Sequence, residues 1–199
     1  MAVVNRREHV SVQPSIEPIT IDDARLHCDL DDSFFDGKLR QLIIAARNKV
    51  EQDTRLAFIT QTRVLTFNDW PGTIDVELPT SPVQSVASIT YTDSNDSVQT
   101  LSASNYTVDT AHHPGRIVLN HGESWPSNRG HHNDITVTYV AGYGSATTDV
   151  PELAKLAMLL LIRHWFDHGT AVSMDFAPPK TMPMAYQSTV DGMNWGQYP

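Results

Sequence analysis

The chain has 199 residues, enough for one domain with a sizeable core or for a core carrying an inserted subdomain, and too few for two ordinary enzyme domains. Its 14 Lys and Arg against 23 Asp and Glu give a formal charge of -9, which argues against a surface built throughout to grip a phosphate backbone. Cys28 is the single cysteine, so an intrachain disulfide and a multi-cysteine zinc site are excluded and the residue reads as a small buried apolar group.

Residues 1–18 show no periodicity and contain Pro14 and Pro18, which predicts a mobile arm. The opening MAVVNRREHV has no apolar run behind its charges, so neither a signal peptide nor a membrane anchor is expected. Thr20 and Asp23 form a capping-box pair that starts a short helix from Ile21 to about Cys28. From Phe34 to about Arg55, the residues Phe35, Leu39, Leu42, Ile43, Ala46 and Val50 recur at steps of three and four, the stripe of an amphipathic helix. Its other faces carry Lys38, Arg40, Arg47, Lys49 and Arg55, which read as a solvated face or as a surface for an acidic partner or nucleic acid.

Between Thr60 and Val140 the period changes to alternation. Thr62 to Phe67, Ile74 to Leu78, Val86 to Tyr91, Tyr106 to Val108, Arg116 to Leu119 and Ile135 to Tyr139 are strand-like runs separated by Pro, Gly, Asn, Asp and Ser, predicting five or six antiparallel strands. Asp149, Pro151 and Glu152 then mark a helix start, with Asp149 as the cap, and Gly169 marks the stop. Within that helix Leu156 to Ile162 are seven consecutive apolar residues, which at ~100° per residue pass almost twice around the axis. Such a helix is expected to be apolar on every side and to need a second protein surface, through Leu156, Leu159, Leu160, Ile162, Trp165 and Phe166. Its charged residues Glu152, Lys155 and Arg163 exclude a membrane span.

Residues 170–199 fit no helix or strand period, yet they hold Met174, Phe176, Met182, Met184, Tyr186, Trp195 and Tyr198. A segment so rich in Met and aromatics reads as an extended arm that docks on a partner, or as a tail folded back over its own domain. The predicted fold is therefore α+β. A small helical bundle, made of N-terminal helices within 19–56 and a core helix within 149–169, carries an antiparallel β insert over 57–148 and extended arms at 1–18 and 170–199.

Signs of catalysis are few. No nucleophile elbow, phosphate loop, dinucleotide fingerprint or zinc-protease motif is present. Gly142-Tyr143-Gly144 lacks the Lys or further Gly of a phosphate loop and reads as a turn. His164 and His168 stand one helical turn apart, but spacing supplies no third ligand, so no metal and no cofactor is expected. Asp22-Asp23 and Asp31-Asp32 lie at helix starts, where capping accounts for them. The chain reads as a non-enzyme; the alternative is a β module binding a ligand or carbohydrate through Trp70 or Trp125.

Several strings in order carry a resemblance. Leu78-Pro79-Thr80-Ser81-Pro82-Val83, Ser88 to Asp93, Tyr106-Thr107-Val108, Pro114 to Ile117, Trp125-Pro126 and Val137 to Gly144, leading to Val150-Pro151 and the helix ending His164-Trp165-Phe166, resemble the head–tail connector (adaptor) proteins of tailed bacteriophages and gene transfer agents. The likeness runs over about residues 16–168. It implies a virion neck protein, assembled in the host bacterial cytoplasm, that forms a ring of usually 12 copies under the portal protein. Such a ring extends the DNA channel without binding DNA specifically and meets the next neck or tail protein, a stopper or tail component. The resemblance brings no catalytic residue and no membrane partner. The aromatic tail beyond Gly169 matches no motif of that family, and is the expected portal-docking arm.

Overall fold

The computed structural model describes residues 6–168 and 184–193. The chain divides into two compact units, one built from residues 6–14 and 60–143 and one from residues 15–59, 144–168 and 184–193.

The first unit is all β. Strands β1 (Arg7–Val12), β2 (Gln61–Phe67), β3 (Asp75–Glu77), β4 (Val83–Thr92), β5 (Val98–Thr100), β6 (Tyr106–Asp109), β7 (Arg116–Leu119) and β8 (Ile135–Ala141) form two antiparallel sheets. The larger has the order β1-β2-β8-β4-β5 and the smaller β3-β7-β6. In β8 the side chains of Ile135, Val137, Tyr139 and Ala141 are buried and the residues between them are half-exposed, so the alternation in the sequence is the two-faced pleat itself. The N-terminal arm is corrected here. Residues 7–12 pair with β2, from Arg7 opposite Thr66 to Val12 opposite Thr62, which satisfies an edge that β2 would otherwise leave open.

The pairing is locked by a buried polar cluster. Glu8 of β1 accepts a short hydrogen bond from the Tyr139 hydroxyl and another from Thr80 Oγ1 at 3.0 Å, while Arg63 Nε lies 3.3 Å from the same carboxylate. Burial, and then Glu8, push the Tyr139 hydroxyl well above the usual phenol range.

The second unit is helical, with α1 (Ile21–His27), α2 (Asp36–Thr54), α3 (Glu152–His168) and α4 (Met184–Met193) among the described residues. The Thr20–Asp23 capping box is present: the Thr20 hydroxyl accepts from the Asp23 N–H at 3.1 Å, and the Asp23 carboxylate accepts from the Thr20 N–H at 2.9 Å. Leu39, Ile43, Ala46 and Val50 of α2 are buried with Phe58, Ile59, Ala154, Ala157, Met158, Leu161 and Ile162 in one core. Cys28 joins that core, and burial raises its thiol pKa.

Three expectations change in this unit. Arg47 is not on a solvated face: it is 3% exposed, with Nε 2.8 Å from Glu17 and Nη1 3.4 Å from Glu51. Asp149 does not cap α3; it closes the preceding 3-10 turn by accepting from the Ala146 N–H at 2.9 Å. A Cβ on Gly144 would overlap the Asp149 carboxylate, so the second glycine of the Gly-Tyr-Gly string serves a tight turn. Finally, residues 184–193 are not extended. They form α4, whose Tyr186, Thr189 and Val190 are buried, and the Tyr186 hydroxyl donates to Asp53 at 2.6 Å. The α-helical period there is short and its Gly192 misleading: that glycine sits inside α4, beside Leu153 of α3.

Two predictions follow from these buried polar groups. Arg47→Ala removes the cation that faces the buried Glu51 carboxylate and is expected to cost about 3–5 kcal/mol, against about 0.5 or less for the exposed Arg40→Ala, in urea unfolding. Tyr139 and Tyr186 both keep their protons in the folded chain above the ordinary phenol pKa, raised by burial and by the carboxylates they donate to. Their contribution to stability is complete below about pH 10 and is lost as the pH rises toward the folded-state values, because the unfolded chain releases those protons first. Unfolding free energy measured upward from pH 9 should therefore fall with pH, and Tyr139→Phe should flatten the fall.

Candidate assembly interface

Helix α3 was expected to be apolar all round. Its burial is one-sided instead: Ala154, Ala157, Met158, Leu161 and Ile162 are covered, while Leu153 and Leu156 are 40% and 44% exposed. Glu152, Lys155, Arg163 and Asp167 give the uncovered side ion pairs, Lys155 to Glu152 and Arg163 to both Asp29 and Asp167, each at 2.7 Å. Of the six residues expected to meet a neighbour, Leu156 is exposed, and Leu159, Leu160, Trp165 and Phe166 are half-buried. Ile162 is fully buried in its own unit and offers no surface to a partner.

The structure adds residues that the period of α3 does not reveal. Leu26 of α1 is 81% exposed, because Ala24 and Cys28 take the inward positions of that short helix. It lines a groove with Ile19, Asp23, His27, Lys155 and Leu159. Phe34, 83% exposed, stands before α2 and packs edge-on against Phe35 at 4.9 Å between ring centroids; Phe35 packs in the same way on Phe166 at 5.3 Å. Lys38 lies 4.2 Å above the Phe166 ring and donates to the Phe166 carbonyl at 3.2 Å. Two adjacent aromatics cannot both face one core, so Phe34-Phe35 was the available signal for an outward ring. On the other flank of α2, Ile19, Ile21, Ile43 and Ile44 form an apolar groove between Glu17 and Arg40. Arg25 holds the start of α2 by a two-pronged contact with Asp36, 2.7 Å on each arm, and that contact keeps the Asp36 carboxyl below the usual range.

Chemistry of another kind is not assembled here. Among the described residues no group of three or more His, Cys, Asp and Glu is placed to hold a metal ion, and no helix is long and apolar enough to cross a membrane. In the β unit, Trp70 and Trp125 stack on each other, 4.5 Å apart and 7° from parallel, with the Trp125 indole donating to the Thr73 carbonyl at 2.8 Å. Each ring thus covers one face of the other.

Among the described residues, exposed apolar side chains form several patches on the helical unit. A family model described as head completion protein matches residues 17–177. The chain belongs to that family. No curated protein matches it. Its fold is that of chains in three solved assemblies of gene transfer agent (GTA) particles. One is the neck of an empty GTA particle computed with C6 symmetry (18% identity, TM-score 0.73, 95% of this chain and 94% of that one). A second is the virion of a native particle (17%, 0.74, 94% and 94%), and a third the neck of a native GTA particle computed with C12 symmetry (19%, 0.68, 95% and 94%). The family agrees with the resemblance drawn from the sequence strings.

The residues expected to form a portal-docking arm divide. Met174, Phe176, Met182, Trp195 and Tyr198 lie outside the described residues. Met184, 89% exposed at the start of α4, is free to meet a partner, whereas Tyr186 is 1% exposed and belongs to the core. The exposed and buried positions of α3 make opposite predictions. Ile162→Asp places a charge in the core and should cost upward of about 4 kcal/mol, whereas Leu156→Asp should change thermal stability by less than about 1 kcal/mol. Thermal denaturation of the two variants checks the assignment.

Proposed function

We propose that the chain is a structural, non-catalytic subunit of the virion neck. It forms a ring of 12 copies under the portal protein, extends the DNA channel, and joins the capsid to the next neck or tail component. The observation that carries this reading is the set of exposed apolar side chains on the helical unit, Leu26, Phe34, Leu156 and Met184, in a member of the head completion family. A ring subunit meets two neighbours through two different surfaces, so exposed patches at several places on one unit suit it. The formal charge of -9 suits a channel wall past which DNA slides without specific contact. Neck assemblies of similar fold, computed with C6 and C12 symmetry, support a ring.

The segment after α3 is assigned to the portal. Stopping the chain after Gly169 would also remove α4 and its buried Tyr186, so lost attachment there would not separate docking from unfolding. Stopping after Met193 keeps α4 and removes Trp195 and Tyr198. This shorter protein is expected to keep its melting temperature and to lose at least about tenfold in portal binding, by pull-down on purified portal, if those aromatics are anchors. Unchanged binding moves the portal contact elsewhere. A chain that is absent from purified particles overturns the neck assignment.

A further inference from the structure

Phe34, 83% exposed, and the apolar groove of α1 and α2 are both open on the helical unit, and they are complementary in charge. Phe34 projects from the run Asp31-Asp32-Ser33, where the Asp32 carboxylate accepts from the Phe34 N–H at 3.0 Å and fixes the direction of the chain. Neither Asp31 nor Asp32 has an ion-pair partner among the described residues. Its ring is supported from behind by Phe35, which rests on Phe166, so the knob is held by a stack of aromatics.

The groove, lined by Glu17, Ile19, Ile21, Arg40, Ile43 and Ile44, has a volume of about 300 Å³. A cavity of ~150 Å³ is enough for one benzene ring. Ile44 on its rim is 44% exposed, and Arg40 beside it makes no ion pair among the described residues. At ~100° per residue, Ile44 lies roughly 120° around α2 from Lys38, which marks the Phe34 side. Knob and groove therefore face different ways on one unit. A surface and its complement placed on different sides cannot pair in a two-fold dimer through one patch; they pair head to tail, the contact from which rings are built when the rotation between copies closes.

We infer that Phe34 of one copy inserts into the Ile21, Ile43 and Ile44 groove of the next, with Asp31 and Asp32 set against Arg40, and that this is a subunit contact of the ring. The inference rests on the ring reading above and names one of its interfaces. The ring becomes a desolvated aromatic anchor in a pocket, with an ion-pair rim that sets direction more than affinity.

The test uses the full chain in purified particles and a short bismaleimide. Ser33→Cys stands beside the knob and Gln41→Cys beside the groove; both positions are exposed, and native Cys28 is buried. The double variant should give a ladder of cross-linked multimers rising one subunit at a time on a denaturing gel. Adding Phe34→Ala should reduce the ladder at least about tenfold, and Phe34→Leu should retain most of it. Since Phe34 is 83% exposed, its removal leaves the fold intact, which a melting curve verifies. Two results overturn the contact: dimers from Ser33→Cys alone, which mean knob meets knob, or no cross-link between chains in the double variant. In each of these the protein is still present in particles, so the neck reading stands. Absence of the wild-type chain from particles removes both.

Discussion

The helical unit depends on one buried charge. Arg47 sits in the middle of α2, almost without water, and its guanidinium is divided between Glu17 and Glu51. Glu51 in turn accepts from the Phe58 N–H at 2.9 Å. The chain entering the unit, its longest helix and the chain leaving it are therefore joined through two carboxylates and one guanidinium. A buried ion pair adds little net stability over a packed apolar triplet, but it tolerates few alternative arrangements. Its consequence is geometric: with Glu17 and Phe58 fixed to one side of α2, Ile19, Ile21 and Ile43 are brought beside one another, and Lys38 and Phe35 are turned toward α3.

That geometry decides which apolar side chains remain outside. A single-domain protein of this size could bury most of its large residues, yet Leu26, Phe34, Ile44 and Leu156 are all exposed on one helical unit. Each stands next to a residue with a fixed contact. Leu26 follows Arg25, held by Asp36; Ile44 follows buried Ile43; Leu156 precedes buried Ala157; Phe34 precedes Phe35, which packs edge-on against Phe166. The exposed set is thus the by-product neither of loose packing nor of a disordered surface. It is the complement of a well-specified interior, as an assembly subunit requires.

Much of the fold was legible because its elements obey simple periods. The capping box at Thr20 and Asp23, the stripe of α2, and the strand Arg116 to Leu119 all stand where spacing puts them. What was missed lacks a local signal. Strand β1 is recognisable only through its partner β2 and through Glu8, whose meaning depends on Tyr139, 131 residues away. Helix α4 contains Gly192 and begins just beyond a proline, so its local preference is weak, and packing on α3 and Asp53 supplies what propensity does not. The interface was half-read for a related reason. Seven apolar residues in a row give no phase, so Leu156 and Ile162 looked alike; only the packed unit separates the exposed one from the buried one.

The acidic residues around Phe34 bear on a constraint that every assembly subunit faces before it assembles. An exposed aromatic is a liability in a monomer at cytoplasmic concentration, because it will meet other apolar surfaces before it meets its own. Asp29, Asp31, Asp32 and Asp36 crowd one loop about that ring, and of these Asp36 and Asp29 form ion pairs, with Arg25 and Arg163. The charges left over repel one such loop from another, which disfavours knob-to-knob association. They attract only a site that carries the opposite sign next to an apolar recess. A chain with a formal charge of -9 has few such sites, and Arg40 above the isoleucine groove is one of them. A cation beside an apolar recess, as at Arg40, therefore favours an acidic neighbour over a second apolar surface without charge.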